Sequence, residues 1–325
     1  MLTKLFGSYR FSTFTGILIL SATWVIPFIA HHTPVCAAPS PANMPLYNSI
    51  VSLFATFPRQ QILTWILLLF TAIYLNQLNS IHHFISAQTY FPASLFIILA
   101  TGFSHPYTLT PETLILPLLT WATAKIINSF KSDSLSYSFF DASFLIGIAS
   151  LIYFPAILFI ALLFIVLFFF RTFQWREWLY TLMGISILYG LVAAFHYLCD
   201  WPVKPWANAI SMSFSTPRHF SFSSLWQSLF ATMVVVLLLA GSFRMMQFIQ
   251  SFKIFVKKIF MLWFIFFLVS VLLLFFSGLQ PGILLPACIP LSYLFSQHLS
   301  TMRTKWLREL FLLILIALLV TIHVV

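Results

Sequence analysis

Apolar residues along this chain run in long blocks broken by short polar turns, with neither the two-residue alternation of half-buried strands nor one-sided helical amphipathicity. Eleven helical segments follow from that pattern. They cover residues 11–30, 60–78, 91–104, 111–128, 141–153, 155–170, 178–197, 225–242, 259–277, 281–297 and 309–324. A helix needs roughly 20 apolar residues to cross the hydrocarbon core, and several of these segments are shorter. The predicted architecture is all-α, a polytopic transmembrane helix bundle of about eleven spans forming a single domain over 1–325. Its longest outer loops are 31–58 and 198–224, and "MPLYNSIVSLFATF" in the first of them can lie along the membrane as an interfacial helix.

Residues 142–170 decide the count. As one helix they would be about 43 Å long against a hydrocarbon core of about 30 Å. Pro155 lacks a backbone donor and clashes with the preceding turn, which favours two short helices over one. Basic residues agree. With the N-terminus inside, Lys4, Arg10, Lys125, Lys131, Arg171, Arg176, Arg244, Lys253, Lys257, Lys258, Arg303, Lys305 and Arg308 are cytoplasmic, while Arg59, Lys204 and Arg218 are outside. Thirteen against three follows the positive-inside rule, and reading 142–170 as one span would reverse it. The C-terminus is then outside.

Composition strengthens the membrane reading: 61% of 325 residues are hydrophobic, 7% are charged and 39 are Phe. Soluble domains carry about a quarter charged residues. The basic, then apolar, first 30 residues resemble a signal peptide, but the run is longer than a usual signal core and is expected to be a retained span. Cys36 follows Val35, unlike a lipoprotein cysteine, and Cys36, Cys199 and Cys288 fit no metal spacing; whether Cys36 and Cys199 pair stays open. The net charge of +10 is spread along one membrane face, which points to anionic lipid headgroups there and away from nucleic acid.

An internal repeat is visible at an offset of 49. Residues 63–106 align with 112–155 without a gap and with 13 identities in 44 positions, against roughly one in ten by chance. The matches include Thr64 with Thr113, Thr71 with Thr120, Asn79 and Ser80 with Asn128 and Ser129, Ala93 and Ser94 with Ala142 and Ser143, and Pro106 with Pro155. Parallel repeats with proline-interrupted helices occur in transporters. Small residues such as Gly102, Ala142, Ser143, Gly147, Ala149 and Ser150 equally suit a scaffold whose helices pack closely.

The stretch "FFFRTFQWREWLYTLMG", residues 168–184, gathers unusual polarity for this chain. Arg171, Trp175, Arg176, Glu177 and Trp178 are expected to be interfacial anchors at the cytoplasmic rim, with indoles at headgroup level. The cluster lacks the paired acids or His partner of acid/base chemistry. The opening "MLTKLFGSYR" before a span, and "FDASFLIGIASLIYFPAILFI" running into "FRTFQWREWLYTLMG", resemble an uncharacterised integral-membrane family of Bacteroidetes, domain-of-unknown-function family 6427. The resemblance covers most of the chain, is most specific over 140–184, and implies a bacterial inner-membrane protein without implying an activity.

Candidate chemistry is sparse. His31, His32, His82, His83, His105, His196, His219, His298 and His323 form no ligand pair at helical spacing, so no metal or other cofactor is expected. In "TPET", Thr110 reads as a cap, Pro111 as the first helical residue and Glu112 as the acid that complements the helix N-terminus. Asp141 opens its helix similarly, the alternative being an acid facing the bundle. On the outer face, Arg59, Glu112, Asp200, Lys204, Arg218 and His219 lie near aromatic "DWPVKPW". Glu112, Asp200, Arg218 and His219 are the candidates should the protein be a lipid-linked sugar transferase or polymerase acting at that face. The first outer loop, where multi-span glycosyltransferases carry their acid, has no Asp or Glu. A non-enzymatic component of cell-envelope assembly, partnered by membrane lipids and other envelope proteins, is the leading expectation, ahead of a transporter or lipid-handling protein and of the transferase.

Overall fold

The computed structural model describes residues 43–54, 59–82, 90–103, 109–130, 137–170, 174–200, 202–215, 225–248, 254–277, 281–301 and 305–324. The first predicted span, 11–30, lies outside these residues, as do Cys36, Arg171, Arg218 and His219. All regular structure among the described residues is helical. In chain order the helices are α1 (Pro45–Leu53), α2 (Arg59–His82), α3 (Phe91–Phe103), α4 (Pro111–Ser129), α5 (Ser138–Ile152), α6 (Phe159–Phe170), α7 (Trp175–Leu198), α8 (Lys204–Ser215), α9 (Leu225–Phe248), α10 (Ile254–Ser277), α11 (Leu285–Thr301) and α12 (Lys305–Val324). A 3₁₀ turn at Phe154–Leu158 separates α5 from α6, and a second, Pro281–Leu284, leads into α11. The break at Pro155 is where the missing donor put it. Pro155 is buried at the start of the turn, and the chain resumes α-helix at Phe159.

A helix lies at each predicted segment from residue 60 onward, but helix is not span. Arg59–His82, Trp175–Leu198, Ile254–Leu274 and Gly282–Ser300 are the four stretches long and apolar enough to cross a membrane. The protein is therefore membrane-embedded by the composition of these helices. Phe91–Phe103, Ser138–Ile152, Phe154–Phe170 and Leu225–Leu239 are apolar but shorter. α3 is the clearest of these: its 13 residues are all buried, and at about 20 Å they fall short of the core thickness. A helix apolar on every side belongs in the interior, and α3 packs there against α11 and α2. α11 is the other central element, with α3, α4, α9 and α10 around it.

The polarity of the outer helices is inverted relative to a soluble protein. On α2 the outward residues are Ile62, Ile66, Phe70 and Ile73, at 44–53% exposure, while Gln60, Thr64, Thr71, Asn76 and Asn79 are buried. On α7 the outward residues are Leu179, Leu182, Met183, Ile187, Leu191 and Phe195, and the buried stripe is Glu177, Thr181, Gly184 and Leu188. Lipid solvates the first set, and helix packing satisfies the second. Buried hydroxyls return to their own helices: Thr64 donates to the Gln60 carbonyl at 2.9 Å, Thr101 to Ile97 at 2.7 Å, Thr123 to Thr120 at 2.8 Å, Ser270 to Phe266 at 2.9 Å and Ser292 to Ile289 at 2.7 Å. Such bonds remove the cost of a bare polar group in an apolar interior.

The two aligned segments behave alike in places. α2 packs on α3 and α4 on α5. Thr64 and Thr113, Thr71 and Thr120, Ala93 and Ala142, and Ser94 and Ser143 are buried as pairs. They differ at Asn79, buried, and Asn128, exposed. Their surroundings differ too, since α3 meets α11 whereas α5 meets α7. That second contact is built from small residues. Gly184 sits against Ser143 and the Phe140 carbonyl, Gly147 against Leu188, and the Ser150 and Tyr189 hydroxyls share a hydrogen bond of 2.8 Å.

Candidate functional site: an aromatic cavity between α7 and α8

Two short helices lie in the segments read as the longest outer loops, one of them expected and one not, and they organise one end of the bundle. α1 lies within the 31–58 segment, where the interfacial helix was expected; its Tyr47 and Val51 are buried against the bundle, while Leu46 and Leu53 are exposed. Tyr47 donates to the Leu109 carbonyl at 2.7 Å, tying α1 to the start of α4. Burial, and secondarily the negative charge of Glu112, push the Tyr47 phenol above its ordinary range. α8 occupies 204–215 in the second loop; its contacts reach α1, α10 and the Phe154–Leu158 turn.

The start of α4 departs from the expected cap. Pro111 and Glu112 occupy the first turn as read from "TPET", yet Thr110 makes no side-chain cap, and the hydroxyl of Thr113 bonds the Thr110 carbonyl at 2.7 Å. Glu112 is partly exposed and close enough to Tyr47 for its charge to be felt there.

Asp200 is elsewhere. α7 ends at Leu198, Cys199 donates its N–H to the Phe195 carbonyl at 3.0 Å, and Asp200 follows with φ 47°. That left-handed conformation reverses the chain after a helix, and Asp adopts it more readily than most non-glycine residues. The turn places α8 beside the end of α7 and leaves a cavity of about 540 Å³ between them. Leu151 comes from α5, Tyr189, Val192, Ala193, His196 and Tyr197 from α7, Val203, Trp206 and Ile210 from α8 and the turn before it, and Asp200 from the turn that ends α7. The walls are held in place. Tyr189 is fixed through Ser150, His196 through a 2.9 Å contact between Nδ1 and the Val192 carbonyl, and the His196 and Trp206 rings meet edge to face at 5.5 Å.

The outer candidates do not converge among the described residues. Asp200 opens on this cavity and Glu112 is not part of its lining. Arg59 and Lys204, at the starts of α2 and α8, are exposed, and no hydrogen bond or ion pair joins any two of these four. No three of His, Cys, Asp and Glu gather as a metal site among the described residues.

At the opposite end, Arg171 lies outside the described residues and the other four residues expected as anchors divide. Trp175 and Arg176 are exposed, Trp178 is half-buried against the Phe164 ring at 5.4 Å, and Glu177 is completely buried, turned into the protein. Asp141, expected as a cap, pairs instead with Lys125 of α4 across 2.7 Å. Spacing along the chain gave no hint of that pair, because it forms only when α4 and α5 lie antiparallel. Lys258 donates to the Phe170 carbonyl at 3.3 Å and His82 packs on Phe255. Sequence reasoning also missed Tyr189 and Trp206 as cavity walls; only the aromatic content of "DWPVKPW" signalled the latter.

No family model, curated protein or solved structure matches the chain.

Proposed function

We propose that the chain is a multi-pass protein of the bacterial inner membrane, belonging to the Bacteroidetes family it resembles, and that it serves envelope assembly without catalysis by holding a lipid-like molecule at its outer end. The cavity between α7 and α8 carries this reading. It has the size of a small-ligand site and mostly apolar, aromatic walls; Asp200 is the single acid in its lining, and the one histidine there, His196, already spends its Nδ1 on the Val192 carbonyl. A conduit for transport has less support, since many hydroxyls buried along the duplicated helices are spent on their own backbones. The test is native mass spectrometry of the protein purified in mild detergent. A bound lipid should survive extraction and disappear when Ala193→Trp or Ile210→Trp fills the cavity, with the melting temperature retained. Lipid adducts unaffected by either filling variant would overturn the proposal.

In the same reading, about eleven spans run with the N-terminus inside, and the segments at 63–106 and 112–155 descend from one duplicated hairpin. Anionic headgroups then meet the basic rim at the cytoplasmic end, and other envelope proteins can dock on the same membrane protein. A reporter fused after Val325 should be active in the periplasm and one fused near Arg244 in the cytoplasm. Periplasmic activity near Arg244 would remove the sidedness assumed here.

A further inference from the structure

We infer that the α7–α8 cavity selects a lipid with an ammonium headgroup, a deepening that rests on the lipid-holding function proposed above. Three features of the cavity point the same way. Tyr189, Tyr197 and Trp206 are among its lining residues, and the negative face of an aromatic ring attracts a cation. Asp200 lines the cavity and is solvent-exposed, and a carboxylate in that position can receive N–H donors. The outward face of α7, the helix that supplies half of the cavity lining, is apolar, with Leu191 and Phe195 60% and 51% exposed.

The site therefore combines an acid and aromatic side chains with a helix whose outward face is an apolar, lipid-facing strip. This combination complements an amphiphile with a positive headgroup and a hydrocarbon tail. About 540 Å³ holds a headgroup and the top of a chain, and the rest of the chains would lie along α7 in the bilayer. An anionic headgroup is disfavoured by repulsion from the Asp200 carboxylate, which water at this exposed residue weakens without abolishing. The φ of 47° at Asp200 adds a constraint, because it aims the side chain from a turn that most residues would avoid.

The experiment uses the full chain in nonionic detergent and titrates three probes by native mass spectrometry: phosphatidylethanolamine, phosphatidylglycerol of identical chains, and chain-free phosphoethanolamine. Phosphatidylethanolamine should bind roughly tenfold more tightly than phosphatidylglycerol, and Asp200→Asn should remove most of that preference without changing the melting temperature. Trp206→Ala should weaken phosphatidylethanolamine binding severalfold. Chain-free phosphoethanolamine should bind far more weakly than the lipid; equal affinity would identify a soluble amine as the ligand and overturn the lipid assignment. Equal binding of the two lipids, still abolished by Ala193→Trp, would overturn the headgroup selectivity and leave the lipid-holding function standing. Lipid binding indifferent to both Asp200→Asn and Ala193→Trp would overturn both.

Discussion

Gly184→Val should detach α7 from the bundle, a loss of more than about 3 kcal/mol, at or above the upper end of ordinary overpacking costs. A side chain begun at Gly184 points straight into α5. Its Cβ alone would meet the Ser143 hydroxyl, the Phe140 carbonyl oxygen at 2.7 Å and the Phe144 nitrogen at 3.2 Å. The Ser143 hydroxyl can rotate away, but the Phe140 carbonyl belongs to the α5 backbone and moves only with the helix. Gly184→Ala should accordingly cost about 1–3 kcal/mol, and valine more. α7 has little else to hold it, because its buried stripe is only Glu177, Thr181, Gly184 and Leu188 while its other faces look outward. The same substitution should abolish lipid retention, since Tyr189, Val192 and His196 travel with α7. Gly190→Val is the control: nothing lies within 4 Å of a Cβ there, and stability should be unchanged beyond the small cost of a β-branched residue. Reversible unfolding in detergent, or steric trapping in bicelles, reads both; a Gly184→Val protein as stable as the parent would refute the close approach of α5 and α7.

Tyr293→Ala is expected to cost about 2–4 kcal/mol, the largest effect of any single truncation at the centre of the bundle. Tyr293 is fully buried on α11, stacked on Trp263 of α10 with ring centroids 4.4 Å apart and planes 19° from parallel, and its hydroxyl donates to the Leu75 carbonyl of α2. One side chain thus ties three helices. In a bilayer the unfolded reference is also apolar, so the loss is of dispersion contacts and a filled volume rather than of hydrophobic transfer. Tyr293→Phe should retain the stacking and lose only about 1 kcal/mol with the hydrogen bond. Equal destabilisation by the two substitutions, measured as unfolding free energy in the same detergent, would mean that the hydroxyl and not the ring holds the helices together.

What the chain's pattern determined by itself was the helical class and the position of almost every helix, for a local reason. Long apolar blocks satisfy their backbone only as helices in an apolar medium, and Pro155 breaks one wherever it is embedded. Gly147, Ser143 and Ser150 were legible as packing residues because their smallness is a property of the residue; that their partners are Leu188, Gly184 and Tyr189 was not. The tertiary structure decided what depends on relative placement. It separated Glu112 from Asp200, turned Glu177 inward, and joined Lys125 to Asp141 across two antiparallel helices. It gave α1 partners in the bundle, and it formed α8 in a segment whose low hydropathy reads as loop. The cavity could not be read from sequence for the same reason: Tyr189, His196, Trp206 and Leu151 become neighbours only through the left-handed turn at Asp200 and the glycine contact that seats α7 on α5. Propensity acts over a few residues, whereas a binding surface is made by contacts between helices whose sequence separation carries no periodic signal.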